Sequence, residues 1–583
     1  MAPGGIPVSL LADLLAVFII AAAVGIFVTK VGQFPYTIAL LIAGFAASVV
    51  GVTIDIELSH DLILLVLLPP LLFEGAATTD LERLRRNLAP ILLLAVVGLL
   101  VSVVLVGVAG AALFPGFDLL LALLFAAMIL PTDPVSVLAL FEELGAPERL
   151  ATLVEGESLV NDGVGVVVFS ALLGYVTSSA GGGAGAGDLF TVGGVGELVV
   201  DIAIVSGGGL LVGLAGGALA YSVMVSLDDQ MTEIILTIIL AYGAFLLAEH
   251  YAADVLGFHL SGVIATVVAG LFIGNRGAEY AMSPQTKIAV FNTWETAAFI
   301  VNTFIFLMIG VTTPIGDLLS NAPLIGMAIP LVLLARTAVV YPLTALANRF
   351  SEPSVPVSYQ HVMVWGGLHA SIPIALVLGL PPSTPMRTEL RAMVFGVAAF
   401  SLVVQGLTMS NVLDSLDIVT RSDAEQLYEL LVGRARAVDA ALDAADELHA
   451  NGDIPQEVYD RFTSEYEREK DQLNEAIATL MRDNPELRHE QVLAGERRLL
   501  QREKSALMDA ARNGVISGDV GDELIEEVDI KLDRVQEGEQ TVSETEESYE
   551  EFWRQRAEEF GLDLGEESDD EATGDGEISA DEE

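Results

Sequence analysis

The sequence predicts an all-α polytopic membrane protein with an acidic helical tail, and three observations carry that prediction. Mean hydropathy is +0.58 over 583 residues. From Pro7 to Leu413, apolar runs of roughly 18 to 28 residues follow one another, each able to cross about 30 Å of hydrocarbon. Beyond about Ser415 the composition turns soluble: the tail holds about 49 of the 78 acidic and about 17 of the 28 basic residues.

The apolar runs are cut at 7–29, 36–53, 61–77, 88–114, 118–142, 150–176, 193–222, 231–250, 257–274, 286–312, 322–347, 359–380 and 390–413. That is about 13 transmembrane helices. The first lacks a basic leader and a small-residue cleavage pattern, so it is expected to stay in the mature protein. An outside N-terminus puts Lys30, Arg83, Arg85, Arg86, Arg149, Arg276, Lys287 and Arg349 on the cytoplasmic side and leaves mainly Arg387 and Arg391 outside. The expected location is the cell membrane, multi-pass, with a cytoplasmic tail.

In the tail, residues 422–449, 455–481, 485–512 and 520–537 show helical spacing, as in Leu473, Ile477, Leu480 and Met481. The expected divisions are a membrane domain 1–415, a helical tail 416–537 and a disordered acidic end 538–583, where carboxylates are dense and apolar residues few. A net charge of -50 excludes a nucleic-acid partner. Acidic short loops (Asp55, Glu57, Asp61; Asp228, Asp229) and lysine at only 30, 287, 470, 504 and 531 point to a salty habitat, that of a halophile. There is no cysteine and no phosphate-binding glycine loop, so neither thiol chemistry nor nucleotide hydrolysis is expected. The expected class is a transporter with no cofactor, not an enzyme.

Two polar stretches interrupt the apolar runs: Pro131-Thr132-Asp133-Pro134 and Gly156-Glu157-Ser158-Leu159-Val160-Asn161-Asp162-Gly163. Carboxylates inside a membrane cost at least about 2.5 kcal/mol each, which marks them as functional. The prolines should break the helix around Thr132 and Asp133, and broken helices at membrane depth survive where freed backbone faces protein, water or ions. A plain kink with Asp133 capping the second half-helix is the alternative. Ser158 and Asp162 share one helix face, while Glu157 and Asn161 form a second stripe one residue away. Hydroxyl and carboxylate oxygens suit a hard monovalent cation, and a proton competes for the same buried carboxylate. That competition is the chemistry of antiport. Asp13, Asp201, Glu233, Glu249, His259 and His361 take no assignment from the sequence.

These motifs, with Phe73-Glu74-Gly75, Trp294-Glu295, Asn302-Thr303-Phe304, Gly310, Arg336 and Trp365-Gly366-Gly367-Leu368, resemble the NhaP/NHE branch of monovalent cation/proton antiporters over about residues 7–413. The resemblance implies an inverted-repeat antiporter fold with two crossed broken helices, near Thr132 and near Gly366 to Pro373, in a homodimer within the lipid bilayer. It implies that Asp162 binds Na+ (or Li+) or a proton, with Glu74, Ser158, Thr132, Asp133 and Asn161 completing the cation/proton site and Na+ held chiefly by Asp162, Ser158 and Glu74. Glu157 would pair with Arg336, and Asn161 in place of a second Asp resembles the electroneutral, one-for-one branch. K+/H+ exchange is the alternative within the class; a cation channel or a sensor derived from a transporter is more remote. Where relatives have Arg after Gly-Gly-Leu this chain has His369, which titrates between pH 5 and 8 and so is either a pH-sensitive group or a neutral hydrogen-bonded one.

Overall fold

A computed structural model describes residues 8–31, 36–51, 54, 62–133, 135–180, 192–227, 229–312, 315–351, 353–416, 418, 423–512 and 514–536. Pro134, the loop acids Asp55, Glu57, Asp61 and Asp228, and the expected disordered end 538–583 lie outside the described residues. The chain divides into two compact units, Met1–Arg421 and Ser422–Glu583.

The first unit runs α1 (Val8–Val31), α2 (Tyr36–Val50), α3 (Leu62–Thr78), α4 (Leu81–Arg86), α5 (Leu88–Leu113), α6 (Leu119–Ile129), α7 (Val135–Leu144), α8 (Glu148–Ala180) and α9 (Val192–Met224). It continues with α10 (Gln230–Leu246, prolonged through Leu247–Tyr251 and Ala252–Leu256), α11 (Gly262–Gly277), α12 (Pro284–Thr312), α13 (Ile315–Ser320), α14 (Ala322–Ala347), α15 (Val357–Trp365), α16 (Ser371–Leu378) and α17 (Arg387–Ser415). Among the described residues, eight helices are long and apolar enough to cross a membrane, and α2, α3, α6 and α11 are shorter apolar ones.

One boundary differs from the expected cuts. The run 231–250 continues as helix to Leu256, where Gly257 takes φ +80 and ends it, and α11 starts only at Gly262. A π-helical turn over Leu247–Tyr251 carries the helix past the polar pair Glu249-His250 that hydropathy reads as an end. Ser261 then sets the new start, its Oγ accepting from the Ile264 N–H at 3.2 Å.

Two apolar cores hold the membrane unit. The larger includes most of α6, in which every residue from Leu120 to Ile129 is buried, so α6 is surrounded by protein on all sides. The smaller joins α3, α9, α10, α11 and α12, with Phe73 against Trp294 at 4.5 Å between ring centroids. Where α2 crosses α12, Gly44 and Gly310 face each other's backbone; a Cβ on either would strike the partner's main chain.

In the second unit, α18 (Asp423–Ala450) packs on α19 (Gln456–Asp483), and α20 (Pro485–Arg512) packs on α21 (Gly518–Gln536). Arg434 meets Glu469 through bonds of 2.6 and 3.1 Å, and Asp439 meets Lys470 at 2.7 Å. The hydrogen bond to Asp439 pushes the Lys470 ammonium up from its ordinary value. Leu500, Val528 and Val535 form a small core between α20 and α21.

Candidate cation site

α6 ends at Ile129 and α7 begins at Val135, while α15 ends at Trp365 and α16 begins at Ser371, so the chain is broken twice inside the apolar core. The two breaks satisfy one another. Asp133 donates its N–H to the Leu368 carbonyl at 2.7 Å, and its Oδ2 accepts from the Ser371 N–H at 3.2 Å and from the Ser371 hydroxyl. Asp133 therefore caps the start of α16, the other broken helix. His369 sits in the same crossing, 2 % exposed, with Nδ1 3.1 Å from the Pro131 carbonyl and its N–H donated to Ser401 Oγ at 3.0 Å. It is a hydrogen-bonded histidine lining the break.

α8 passes beside this crossing and presents two stripes. On one, Glu157 takes Arg336 of α14 through a two-pronged pair at 2.9 and 3.2 Å, and Arg336 Nε donates to the Met363 carbonyl at 2.9 Å. Gly367 leaves the room: a Cβ there would collide with the guanidinium. Asn161 lies on the same stripe. Its Nδ2 donates to Thr132 Oγ1 at 2.9 Å and its Oδ1 accepts the Thr132 N–H at 3.2 Å. With Glu157, Arg336 and His369 it lines a small cavity of about 20 Å³.

The other stripe, Glu155, Ser158 and Asp162, lines a cavity of about 980 Å³. Asp133, Glu74 of α3, and Glu295 and Asn302 of α12 also line it, and Glu148, Asp80 and Arg83 line it too, at one end of α8. Ser158 donates to the Thr132 carbonyl, which ties α8 to the break. Asp162 is 8 % exposed, and its buried Oδ1 has no hydrogen-bond partner among the described residues. The buried Oδ1 of Asn302 is in the same position. An unpartnered carboxylate oxygen in the lining of a carboxylate-rich cavity can take a cation or a proton.

Of the residues singled out from sequence, Asp162, Ser158, Glu74 and Asp133 share the large cavity, and Glu157 finds Arg336. Thr132 and Asn161 hold each other, away from that cavity's lining. Four lining acids, Asp80, Glu148, Glu155 and Glu295, were not read from the sequence as site residues. Glu155 accepts from Thr79 Oγ1 at 2.6 Å, and it lies three residues before Ser158 and seven before Asp162, a spacing that puts all three on one helix face. Glu295 was quoted only as part of the resemblance, and nothing local to its sequence marks it as lining the site.

Residues 15–414 match the family described as sodium/hydrogen exchanger, transmembrane. The chain is 36% identical over 518 residues to the Na(+)/H(+) antiporter NhaG of Bacillus atrophaeus, spanning 87% of this chain and 95% of that one. It is 37% identical over 411 residues to the Na(+)/H(+) antiporter ApNhaP of Aphanothece halophytica, across 70% and 75% of the two chains. Its fold resembles that of the sodium proton antiporter MjNhaP1 from Methanocaldococcus jannaschii, with a TM-score of 0.57 at 17% identity, covering 70% of this chain and 98% of that one. The family match extends over well more than half the sequence and through both broken helices and the acids of α8: the chain belongs to the sodium/hydrogen exchanger family.

Proposed function

We propose that the protein exchanges Na+ for H+ across the cell membrane by alternating access, with Asp162 the group that cation and proton share. The observation that carries this is the buried Asp162 Oδ1, unpartnered at the head of the carboxylate-lined cavity. The names of the relatives as Na(+)/H(+) antiporters favour sodium over potassium. Na+ is the substrate here. Its oxygens would come from Asp162, Ser158 and Glu74, with Asp133 bridging through water.

Asp162 carries one negative charge when empty. A Na+ or a proton neutralises it equally, so the loaded site crosses uncharged in either direction, and the exchange is one for one. The site cannot hold both, which couples the two flows. Asn161 and Thr132 position the break, and Glu157 with Arg336 holds α8 to α14 while the site moves. The cavity reaching Asp162 faces the cytoplasm if the N-terminus lies outside. We further assign an inverted repeat of 13 membrane spans, a homodimer, a cytoplasmic helical tail over 416–537 and a disordered end.

The test is exchange in everted vesicles with Na+, Li+ and K+ compared side by side. Na+ and Li+ should collapse a preset proton gradient and K+ should not. Because the proton competes for the same oxygen, apparent KM for Na+ should rise about tenfold for each pH unit of acidification once the site is mostly protonated. A KM independent of pH would separate the proton from the cation site.

A further inference from the structure

A second cavity, of about 350 Å³, lies beyond Asp162 on the same face of α8. Val166, Phe169, Ser170, Leu173 and Thr177 line it, at spacings that continue the stripe of Glu155, Ser158 and Asp162 within roughly a third of the helix circumference. The two cavities meet the same helices one turn apart. On α8 Asp162 lines the first and Val166 the second; on α16 it is Ile372 and Leu376; on α3 it is Leu68 and Leu64. Four residues of helix rise about 6 Å, so one packed layer of side chains separates them. In that layer Val166 is 9 % exposed and Leu376 1 %, and Leu64 is partly buried, all three apolar.

Among the residues lining this second cavity, one ionisable side chain occurs, Glu249 of α10. Its Oε2 accepts the Gly262 N–H at the start of α11, at 3.2 Å. Ser261 caps the Ile264 N–H of the same start, and a neutral oxygen at Glu249's place would serve the Gly262 N–H as well, so the bond to Gly262 does not itself require a charge. A half-buried carboxylate near the end of a membrane-spanning helix is costly unless it serves a polar path. We infer that the second cavity is the opposite-face half of the ion path, that the layer at Val166, Leu376 and Leu64 is its barrier, and that Glu249 draws hydrated monovalent cations into it for delivery to Asp162. This inference rests on the assignment of Asp162 as the exchange site.

The chain has no cysteine, so single cysteines report without background. Ala151→Cys in the first cavity and Ser170→Cys in the second should react with a membrane-impermeant thiol reagent from opposite faces of the membrane. Reaction of both from one face, or of Ser170→Cys from neither, would overturn the path. Glu249→Gln keeps the acceptor for Gly262 and removes the charge. In oriented proteoliposomes at low ionic strength it should raise apparent KM for Na+ about three- to tenfold on the Ser170 face, leave KM on the Ala151 face unchanged, and lose the difference in high salt. An unchanged KM on the Ser170 face, an equal shift on both faces, or a shift indifferent to salt would overturn the role of Glu249. Asp162→Asn, run alongside, keeps the two ideas apart. Exchange lost in Asp162→Asn with Glu249→Gln unaltered refutes the second cavity alone, whereas exchange retained in Asp162→Asn refutes the site itself.

Discussion

Glu157 and Asp162 stand five residues apart on one helix and are buried alike, at 4 % and 8 % exposed, yet the protein treats them in opposite ways. Glu157 is given a guanidinium with two hydrogen bonds. Asp162 keeps an oxygen that nothing among the described residues satisfies. The helical period makes the difference: five residues rotate the side chain by roughly 140°, from the packed face against α14 to the face that lines the large cavity. A buried charge paired within the protein is structure. One left unpaired is available to a substrate.

The comparison breaks most visibly at Asp162. Asp162→Asn keeps the shape and removes the charge that cation and proton are proposed to share, so exchange should fall to background in vesicle dequenching assays while the detergent melt stays near wild type. A rate of about a third of wild type or more would place the site elsewhere. The converse is expected at the other acid. Arg336→Ala should destabilise by roughly 3 to 5 kcal/mol by orphaning Glu157, and Glu157→Gln combined with Arg336→Gln should recover part of that loss. Strict additivity across the cycle of melts would show that the pair is not coupled.

Asn161 lies between the two behaviours, polar and buried but fully engaged with Thr132. Asn161→Ala removes two hydrogen bonds, each with a net value near 1 kcal/mol, so a loss of about 1 to 3 kcal/mol is expected. Apparent KM for Na+ should rise as the break loosens. An unchanged KM with an unchanged melt would mean that the Thr132 contact holds nothing in place.

The smallest expected effect is that of voltage. On the proposed one-for-one exchange the loaded site is neutral and would feel none of the roughly 2.3 kcal/mol per 100 mV that a net charge feels. Clamping the potential with K+ and valinomycin during a Na+ pulse should leave the rate unaltered. A several-fold change would mean that Glu74 or Asp133 carries a second proton through the cycle.

Much of this was legible before any fold. Apolar length alone marks the helices, because hydrocarbon accepts few other elements. The proline-flanked Thr132-Asp133 and the Ser158/Asp162 spacing mark the proposed site, because charges at that depth are rare. Glu155 was legible in principle, from its register with Asp162. Glu295 was not, since its helix is distant in sequence and joins the cavity only through packing.

What the sequence determined by itself is therefore local: which segments are helical, where they break, and which acids share a face of α8. Tertiary structure decided the partners. That Asp133 caps α16, that Glu157 meets Arg336 179 residues away, that Asn161 holds Thr132 while Asp162 faces a cavity, and that Leu64, Val166 and Leu376 line a second cavity one turn beyond all depend on how helices cross. A helical period fixes angles within one rod, but distances between rods are set by the close packing of side chains from the whole core, which no single segment encodes.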